Sequence, residues 1–187
     1  MVTAAERGQG APTGYDEYES YWAIEYHQGG RQTFEVNLPL SSVPRFVAAP
    51  DPNRPVEGNR RVDVRHAANI AQYICDRDDG LIPTIVLRCP SRTMEFEPND
   101  DVRAGGAVRF GTLRIPKSKA QDLHIVDGQH RVLGLEMATK DLSDRRLKLK
   151  SDIAEAQDGQ NMILVEQYRK ELAVVEEKFA RIARERV

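Results

Sequence analysis

The chain has 187 residues, of which 40% are hydrophobic and 30% are charged, and its formal net charge is −2. This length predicts one domain with a substantial core, and the near-neutral charge excludes nucleic-acid binding through a strongly basic bulk. The sequence has neither a run of about 18 apolar residues nor the basic and apolar regions of a signal peptide, so we expect a cytoplasmic protein. Its two cysteines, Cys75 and Cys89, are expected to be buried free thiols.

The N-terminal region is predicted to be a disordered tail followed by a β-hairpin. Residues 1–18 are rich in Gly, Ala and acidic side chains. Residues 20–27 and 32–38 are β-prone, and Gly29-Gly30 between them supplies the positive φ angles of a tight turn. The aromatic residues of this region either stack on nucleic-acid bases or, as we favour, pack the hairpin; they are Tyr18, Tyr21, Trp22 and Tyr26.

A proline-rich connection over residues 39–61 leads to the first predicted helix. Asp63 fits the N-cap of this helix, and Gly80 fits the glycine that follows a helix C-terminus. Four apolar residues share one face by their helical spacing: Ala67, Ile70, Ala71 and Ile74. Polar residues line the rest, and they form either a solvated face or a set of binding groups: Arg65, His66, Asn69 and Tyr73.

Three further segments are β-prone: residues 81–89, 92–97 and 107–115. Gly111, inside the third segment, is a candidate β-bulge. Residues 98–106 are predicted to form a turn or loop. In the basic loop over residues 116–121, Lys117 and Lys119 are candidates for contact with DNA phosphates, the alternative being a solvated loop.

The most informative stretch covers residues 122–138. An apolar, β-prone run ends at Asp127-Gly128, and a largely apolar, helix-prone segment begins at once, which predicts a strand, a tight turn and a buried helix. Gly128 tolerates turn conformations that other residues resist, and the first N–H groups of a helix attract anions. With His130 and Arg131 beside them, these groups predict a phosphate or carboxylate site.

Residues 127–131 read DGQHR, the signature of the DGQHR-domain family, which includes DndB of DNA phosphorothioation systems and DpdB of DNA deazapurine-modification systems. The chain resembles this family, and through it the ParB/sulfiredoxin superfamily, over about residues 20–150. In that superfamily the matching loop reads G-E-R-R or G-C-H-R and binds nucleotide phosphates. Gly128, His130 and Arg131 match the second pattern, whereas Gln129 replaces its reactive cysteine and excludes sulfinic-acid reduction.

The resemblance implies a fold, a site and partners. The implied fold is α/β (α+β), a ParB/sulfiredoxin-like mixed sheet with flanking helices and a long C-terminal helix. The implied cofactors are Mg²⁺, with Asp127 as a candidate ligand, and a nucleotide, ATP or CTP. DNA and other proteins of a DNA-modification system are the expected partners. The implied phosphate- or nucleotide-binding residues are Gly128, Gln129, His130, Arg131, Arg65, His66 and Asn69.

Two functions fit the motif. One is a DndB-like regulator or accessory factor of a DNA-modification or defence system, which binds nucleotide or DNA phosphates. The other is a ParB- or DpdB-like NTPase or nuclease in which Asp127 and His130 are catalytic. The sequence shows no ready nucleophile near the motif, no zinc-ligand spacing and no P-loop, which favours the binding role.

The C-terminal part is predicted to be helical. Arg145 and Arg146, in the charge-dense residues 141–150, are candidate DNA contacts, with a solvated helix end as the favoured alternative. A helix from about residue 160 to the end carries an a/d seam, which we expect to pack on its own domain or, alternatively, to form a homodimer: Val165, Tyr168, Leu172, Val175, Phe179 and Ile182. The sequence shows no helix stop signal before Val187, as in a truncated protein. The predicted division is a tail (1–18), a DGQHR domain (19–150) and a helical extension (151–187).

Overall fold

The computed structural model describes residues 17–54, 60–90, 92–104 and 107–187. Within these ranges the chain forms two sheets and four α-helices, which confirms the α+β class. Every strand pair among the described residues is antiparallel, so the parallel pairs of a mixed sheet are not found there. The predicted disordered tail lies, except for its last two residues, outside the described ranges.

The elements follow one another along the chain. The strands are β1 (Tyr18–Gln28), β2 (Arg31–Val36), β3 (Val86–Arg88), β4 (Glu95–Ala104), β5 (Val108–Pro116) and β6 (His124–Asp127). The α-helices are α1 (Val43–Phe46), α2 (Val64–Asp76), α3 (Gln129–Asp158) and α4 (Met162–Arg184). The strand predicted over residues 81–89 is confirmed only at β3.

The larger sheet has the strand order β2-β1-β5-β4. The predicted hairpin is confirmed, with φ angles of 57° at Gly29 and 75° at Gly30. One face of this sheet packs into the core through residues such as Ala23, Leu113 and Ile115, all at most 3% exposed.

The aromatic residues of β1 divide between the two faces of the sheet, because side chains alternate along a strand. Tyr21 lies on the core face and packs edge-on against Phe46, with ring centroids 5.6 Å apart. Trp22, on the other face, is 72% exposed. The packing interpretation therefore holds for Tyr21, while base stacking stays a prediction for the residues of the outer face.

Gly111 lies where the backbones of β4 and β5 come close. It pairs in regular register with Ala23 of β1 and with Pro98 of β4, so the predicted bulge at Gly111 is wrong. The irregularity lies in β4, between Pro98 and Arg103. The turn predicted over residues 98–106 is also wrong as far as Ala104, because pairing with β5 outweighs the turn-like composition of this segment.

α2 begins as predicted and ends differently. The Asp63 carboxylate accepts hydrogen bonds from the N–H groups of Arg65 (2.9 Å) and His66 (3.3 Å). The helix ends at Asp76, so the predicted role of Gly80 at its C-terminus is wrong. Arg181 of α4 donates hydrogen bonds to the carbonyls of residues 74 and 75, at 2.7 and 2.9 Å. A distant arginine thus satisfies carbonyls that a glycine turn would otherwise serve.

α3 runs for 30 residues, so the helix end predicted within residues 141–150 is wrong. It also continues across residues 150 and 151, the predicted boundary between the DGQHR domain and the extension, and the domain division itself stays a prediction. α4 packs against α3, and the residues of the predicted seam are buried or pack against the chain's own core. A homodimer through α4 would have to use its other residues.

The helix predicted to reach the last residue ends at Arg184 instead. The final three residues are extended and pair with residues 38–40 through three backbone hydrogen bonds of 2.9 Å. Both cysteines are free thiols and half-buried, and burial raises the pKa of each. None of the helices in the described ranges has the length and apolarity required to cross a membrane.

Candidate functional site

The two-stranded sheet places the DGQHR motif at the N-terminus of α3. β3 and β6 pair with one irregularity next to Val86, which leaves Val126 as an extra residue in β6. Gly128 then adopts a φ of 99° and is the N-cap residue of α3. The predicted strand, turn and helix are confirmed. Asp127 does not cap α3, which has no side-chain cap.

Arg131 folds back over this turn. Its guanidinium donates a hydrogen bond to the Asp127 carboxylate at 2.7 Å, and it holds the pKa of that carboxyl below its usual range. A Cβ on Gly128 would lie 3.0 Å from Nε of Arg131, so the glycine makes room for the guanidinium. The Arg131 side chain is 19% exposed, whereas that of Asp127 is 71% exposed.

His130 links the N-termini of α3 and α2. Its Nε2 accepts a hydrogen bond from the backbone N–H of Asp63 at 2.9 Å, and its ring stands edge-on to that of His66, with centroids 4.9 Å apart. Only a neutral imidazole has a nitrogen that accepts. Burial lowers the pKa of His130, as does the nearby His66, which outweighs the opposing effect of Asp63.

The two helices approach closely because Gly134 has no side chain. A Cβ there would lie 2.8 Å from Cγ2 of Ile70 and 2.9 Å from the carbonyl oxygen of Ala67. This contact, one turn beyond the motif, holds both helix N-termini at the same end of the structure. Both ends carry partial positive charge, so the arrangement favours an anion.

The helices differ in how their first N–H groups are satisfied. In α2, the Asp63 carboxylate occupies two of them. In α3, no side chain caps the end, and Arg131 adds guanidinium N–H groups that make no hydrogen bond to other described residues beyond Asp127. The uncapped start of α3 is therefore the more open anion site of the two.

The structure brings some of the predicted site residues together and leaves others apart. His66 lies against His130, and Arg65 extends from the same first turn of α2 with an exposed side chain. Asn69 is exposed on α2, and no contact joins it to the motif in the described structure. Tyr73 serves the loop after α2, because its hydroxyl accepts a hydrogen bond from the N–H of Leu81 at 3.2 Å.

The four basic residues predicted to meet DNA have partners within the chain. Lys117 pairs with Glu17 (2.6 Å), Lys119 with Asp122 (3.9 Å) and Arg145 with Glu171 (3.8 Å). The half-buried Arg146 lies over the ring of Phe179, 5.4 Å from its centroid. Exposed ion pairs are weak and exchange readily, whereas the position of Arg146 indicates a packing role.

The described residues do not fit a resident magnesium ion. Magnesium requires several oxygen ligands, and the described part of the chain contains no group of three His, Cys, Asp or Glu residues that could hold a metal. Asp127 is already paired with Arg131. The groove of about 460 Å³ between α2, α3 and α4 contains no residue of the motif.

Sequence reasoning missed two parts of this site. The backbone N–H of Asp63 fixes His130 from 67 residues away, and Gly134 sets the distance between the helices. The signal for the second was available, since Gly134 lies in an otherwise bulky apolar segment. A helical glycine in such a segment indicates close packing.

The family model of DndB, described as DNA-sulfur modification-associated, matches residues 21–163. The match covers more than half of the chain, from β1 into α4, and includes the DGQHR motif. The chain therefore belongs to the DndB family, which confirms the resemblance drawn from the motif. Comparisons with curated proteins and with solved structures gave no match, and the relation to ParB and sulfiredoxin stays a resemblance.

The lowered pKa of His130 predicts a loss of stability in acid. The unfolded chain takes up a proton near pH 6.5, whereas folded His130 resists it, so the free energy of unfolding falls as the pH drops below about 6.5. Above that pH both states are neutral and the effect vanishes. Urea unfolding at pH 7.5 and 5.5 measures how much the free energy of unfolding falls between the two pH values. This fall should be smaller for His130→Gln, whose side chain does not titrate, than for wild type. Equal losses would contradict the prediction.

Proposed function

We propose that this protein is a DNA-binding regulator or accessory factor of a DNA-sulfur modification system and that its DGQHR loop binds a phosphate of DNA or of a nucleotide. Membership of the DndB family supports the link to DNA-sulfur modification. The observation that carries the phosphate site is the 2.9 Å hydrogen bond from the Asp63 N–H to His130, which holds two helix N-termini side by side next to Arg131.

A phosphate at this loop would meet complementary groups. The uncapped first turn of α3 offers backbone N–H groups, and Gly128 lets the ligand approach the backbone. One N–H group of Arg131 donates to the exposed Asp127 carboxylate. The planar guanidinium of Arg131 can also donate to two phosphate oxygens at once. A phosphate that displaced Asp127 from Arg131 would exchange one weak surface ion pair for a charge-assisted pair of hydrogen bonds.

The same contacts argue against a catalytic role for the motif. His130 already accepts a backbone hydrogen bond, and Asp127 is ion-paired, so neither is placed as a free general base. The alternative is an NTPase or nuclease that uses Mg²⁺ with ATP or CTP, and an assay for turnover distinguishes it from the binding role. It requires phosphate release or DNA nicking that depends on the metal.

Arg131→Ala is the variant that tests the site. We expect its affinity for a DNA duplex to fall about tenfold or more, because a charge-assisted contact contributes roughly 1.5–3 kcal/mol. Its melting temperature should change little, since the lost ion pair is exposed on the Asp127 side. Mobility shifts at several salt concentrations, with and without ATP, CTP and Mg²⁺, provide the measurement.

Arg169→Ala is the matched control, because it removes the same charge from an exposed position on α4. If Arg131→Ala binds DNA and nucleotides as tightly as this control, the site assignment is wrong. Inorganic phosphate released from ATP or CTP by wild type, and not by Arg131→Ala, would move the conclusion to the enzyme.

A further inference from the structure

We propose that the ribbon formed by β3 and β6 is a second DNA contact. In this contact Arg88 and His124 bind backbone phosphates of one duplex, and a neighbouring phosphate of the same duplex binds at the DGQHR loop. This inference rests on the proposed function and extends it to two residues outside the motif. It names the partner of the site as duplex DNA rather than a free nucleotide.

The ribbon presents these two side chains on one face. Arg88 and His124 pair directly across the two strands, so they project from the same side. The next pair, Leu87 and Ile125, points the opposite way and packs in or against the core. Arg88 and His124 are both exposed, and the ribbon therefore has an apolar inner face and a basic outer face.

Nothing in the described structure offsets this basic pair. Beyond the backbone pairing of the strands, the side chains of Arg88 and His124 make no hydrogen bond or ion pair with another described residue. Lys117, Lys119 and Arg145, in contrast, all have acidic partners. The described chain supplies no acidic partner for these two N–H-bearing side chains, and a DNA phosphate does.

The position of the pair relative to the loop favours one extended polyanion. β6 runs directly from His124 to Asp127, a distance of about 10 Å at the usual rise of a strand. The major groove of B-DNA is about 12 Å wide and admits a two-stranded ribbon. The ribbon and the uncapped end of α3 can therefore contact the same duplex.

The surface between the two basic positions is compatible with this partner. Val86 and Val126 are 46% and 53% exposed. Val86 pairs with Asp127, and Val126 is the unpaired extra residue of β6. Small apolar side chains fit against thymine methyl groups and sugars. Asp127, an exposed carboxylate of this surface, is ion-paired with Arg131, which offsets its charge until a phosphate takes its place on the guanidinium.

The test is the double variant Arg88→Ala/His124→Ala in the full chain, titrated with duplex DNA at 50 to 200 mM salt. We expect about fivefold weaker binding at the lower salt and a slope of log K against log salt that is shallower by about one, because the Arg88 charge no longer releases counterions from the DNA. Arg88→Lys, paired with native His124, should keep most of the affinity and the slope, because the charge is retained.

Arg169→Ala again controls for the loss of a positive charge, and thermal melts confirm that each variant is folded. If the double variant matches this control in affinity and slope while Arg131→Ala remains weak, the ribbon proposal is overturned and the DGQHR site stands. If wild type binds no DNA at all, both proposals fail together. If Arg88→Lys binds as poorly as the double variant, charge is not what the ribbon supplies, which also overturns the proposal.

Discussion

Gly111→Ala should lower the free energy of unfolding by about 3 kcal/mol, the upper part of the usual range for overpacking a core. A Cβ at this position would lie 2.2 Å from the carbonyl oxygen of Glu97 and 2.8 Å from Cα of Pro98. Because both are backbone atoms, no side-chain rotation relieves the clash. β4 would have to move away from β5, and the hydrogen bonds that pair them would weaken.

Urea unfolding monitored by circular dichroism measures this cost, with Gly159→Ala as the matched control. At Gly159 the nearest atom to a new Cβ is 3.4 Å away, which is ordinary contact, and φ is −76°. The control should therefore stay within about 0.5 kcal/mol of wild type. Equal stability of the two variants would show that β4 and β5 do not approach as closely as described.

The elements that could be predicted from sequence are those fixed by neighbouring residues. Gly29-Gly30 specifies its own turn, and Asp63 caps the helix that follows it. The strand, turn and helix around Gly128 likewise follow from one short segment. In each case the groups that satisfy the backbone are within a few residues, so local chemistry decides.

The wrong predictions concern elements whose ends are determined by residues distant in the sequence. β4 continues to Ala104 because it pairs with β5 on both sides of an irregularity, at Pro98 and again at Arg103 and Ala104. α2 ends before Gly80 because Arg181, more than a hundred residues later in the chain, binds its last carbonyls. α3 continues through its charge-dense middle because its other face packs against α2 and α4. No local sequence pattern indicates such distant partners.

The candidate site divides in the same way. The DGQHR motif was recognisable from its residues, and the family comparison confirms the family but tests no individual site residue. The hydrogen bond between Asp63 and His130 and the pairing of Arg88 with His124 depend on the fold. Single-sequence reasoning therefore found the loop and missed both the backbone group that orients His130 and the strand pairing on which the ribbon proposal rests.

The second large effect is expected for Gly128→Ala, which should cost about 2 kcal/mol of stability and about tenfold in DNA affinity. The stability term is backbone strain, because φ is 99° and an L-residue in a left-handed conformation loses roughly 1–2 kcal/mol. The affinity term has another source. The new Cβ would come within 3.0 Å of Nε of Arg131, whose flexible guanidinium must then leave its position over the turn.

Gly30→Ala separates the effect of backbone strain on stability from the effect of a new Cβ on DNA affinity. Gly30 also has a positive φ, 75°, but a Cβ there meets nothing within 4 Å, and the turn is remote in sequence from the motif. Both variants should therefore lose stability in thermal melts, and only Gly128→Ala should lose DNA affinity. A similar loss of affinity in Gly30→Ala would mean that strain anywhere in the chain disturbs binding, and the special role of Gly128 would be wrong.

A double-mutant cycle then identifies what Gly128 does for the site. If the alanine acts by displacing Arg131, adding Gly128→Ala to Arg131→Ala should weaken DNA binding no further, because both changes remove the same contact. If the two losses add, Gly128 acts independently, by letting a phosphate approach the N–H groups of α3. Either result assigns the glycine to one of the two halves of the proposed phosphate site, the guanidinium or the helix N-terminus.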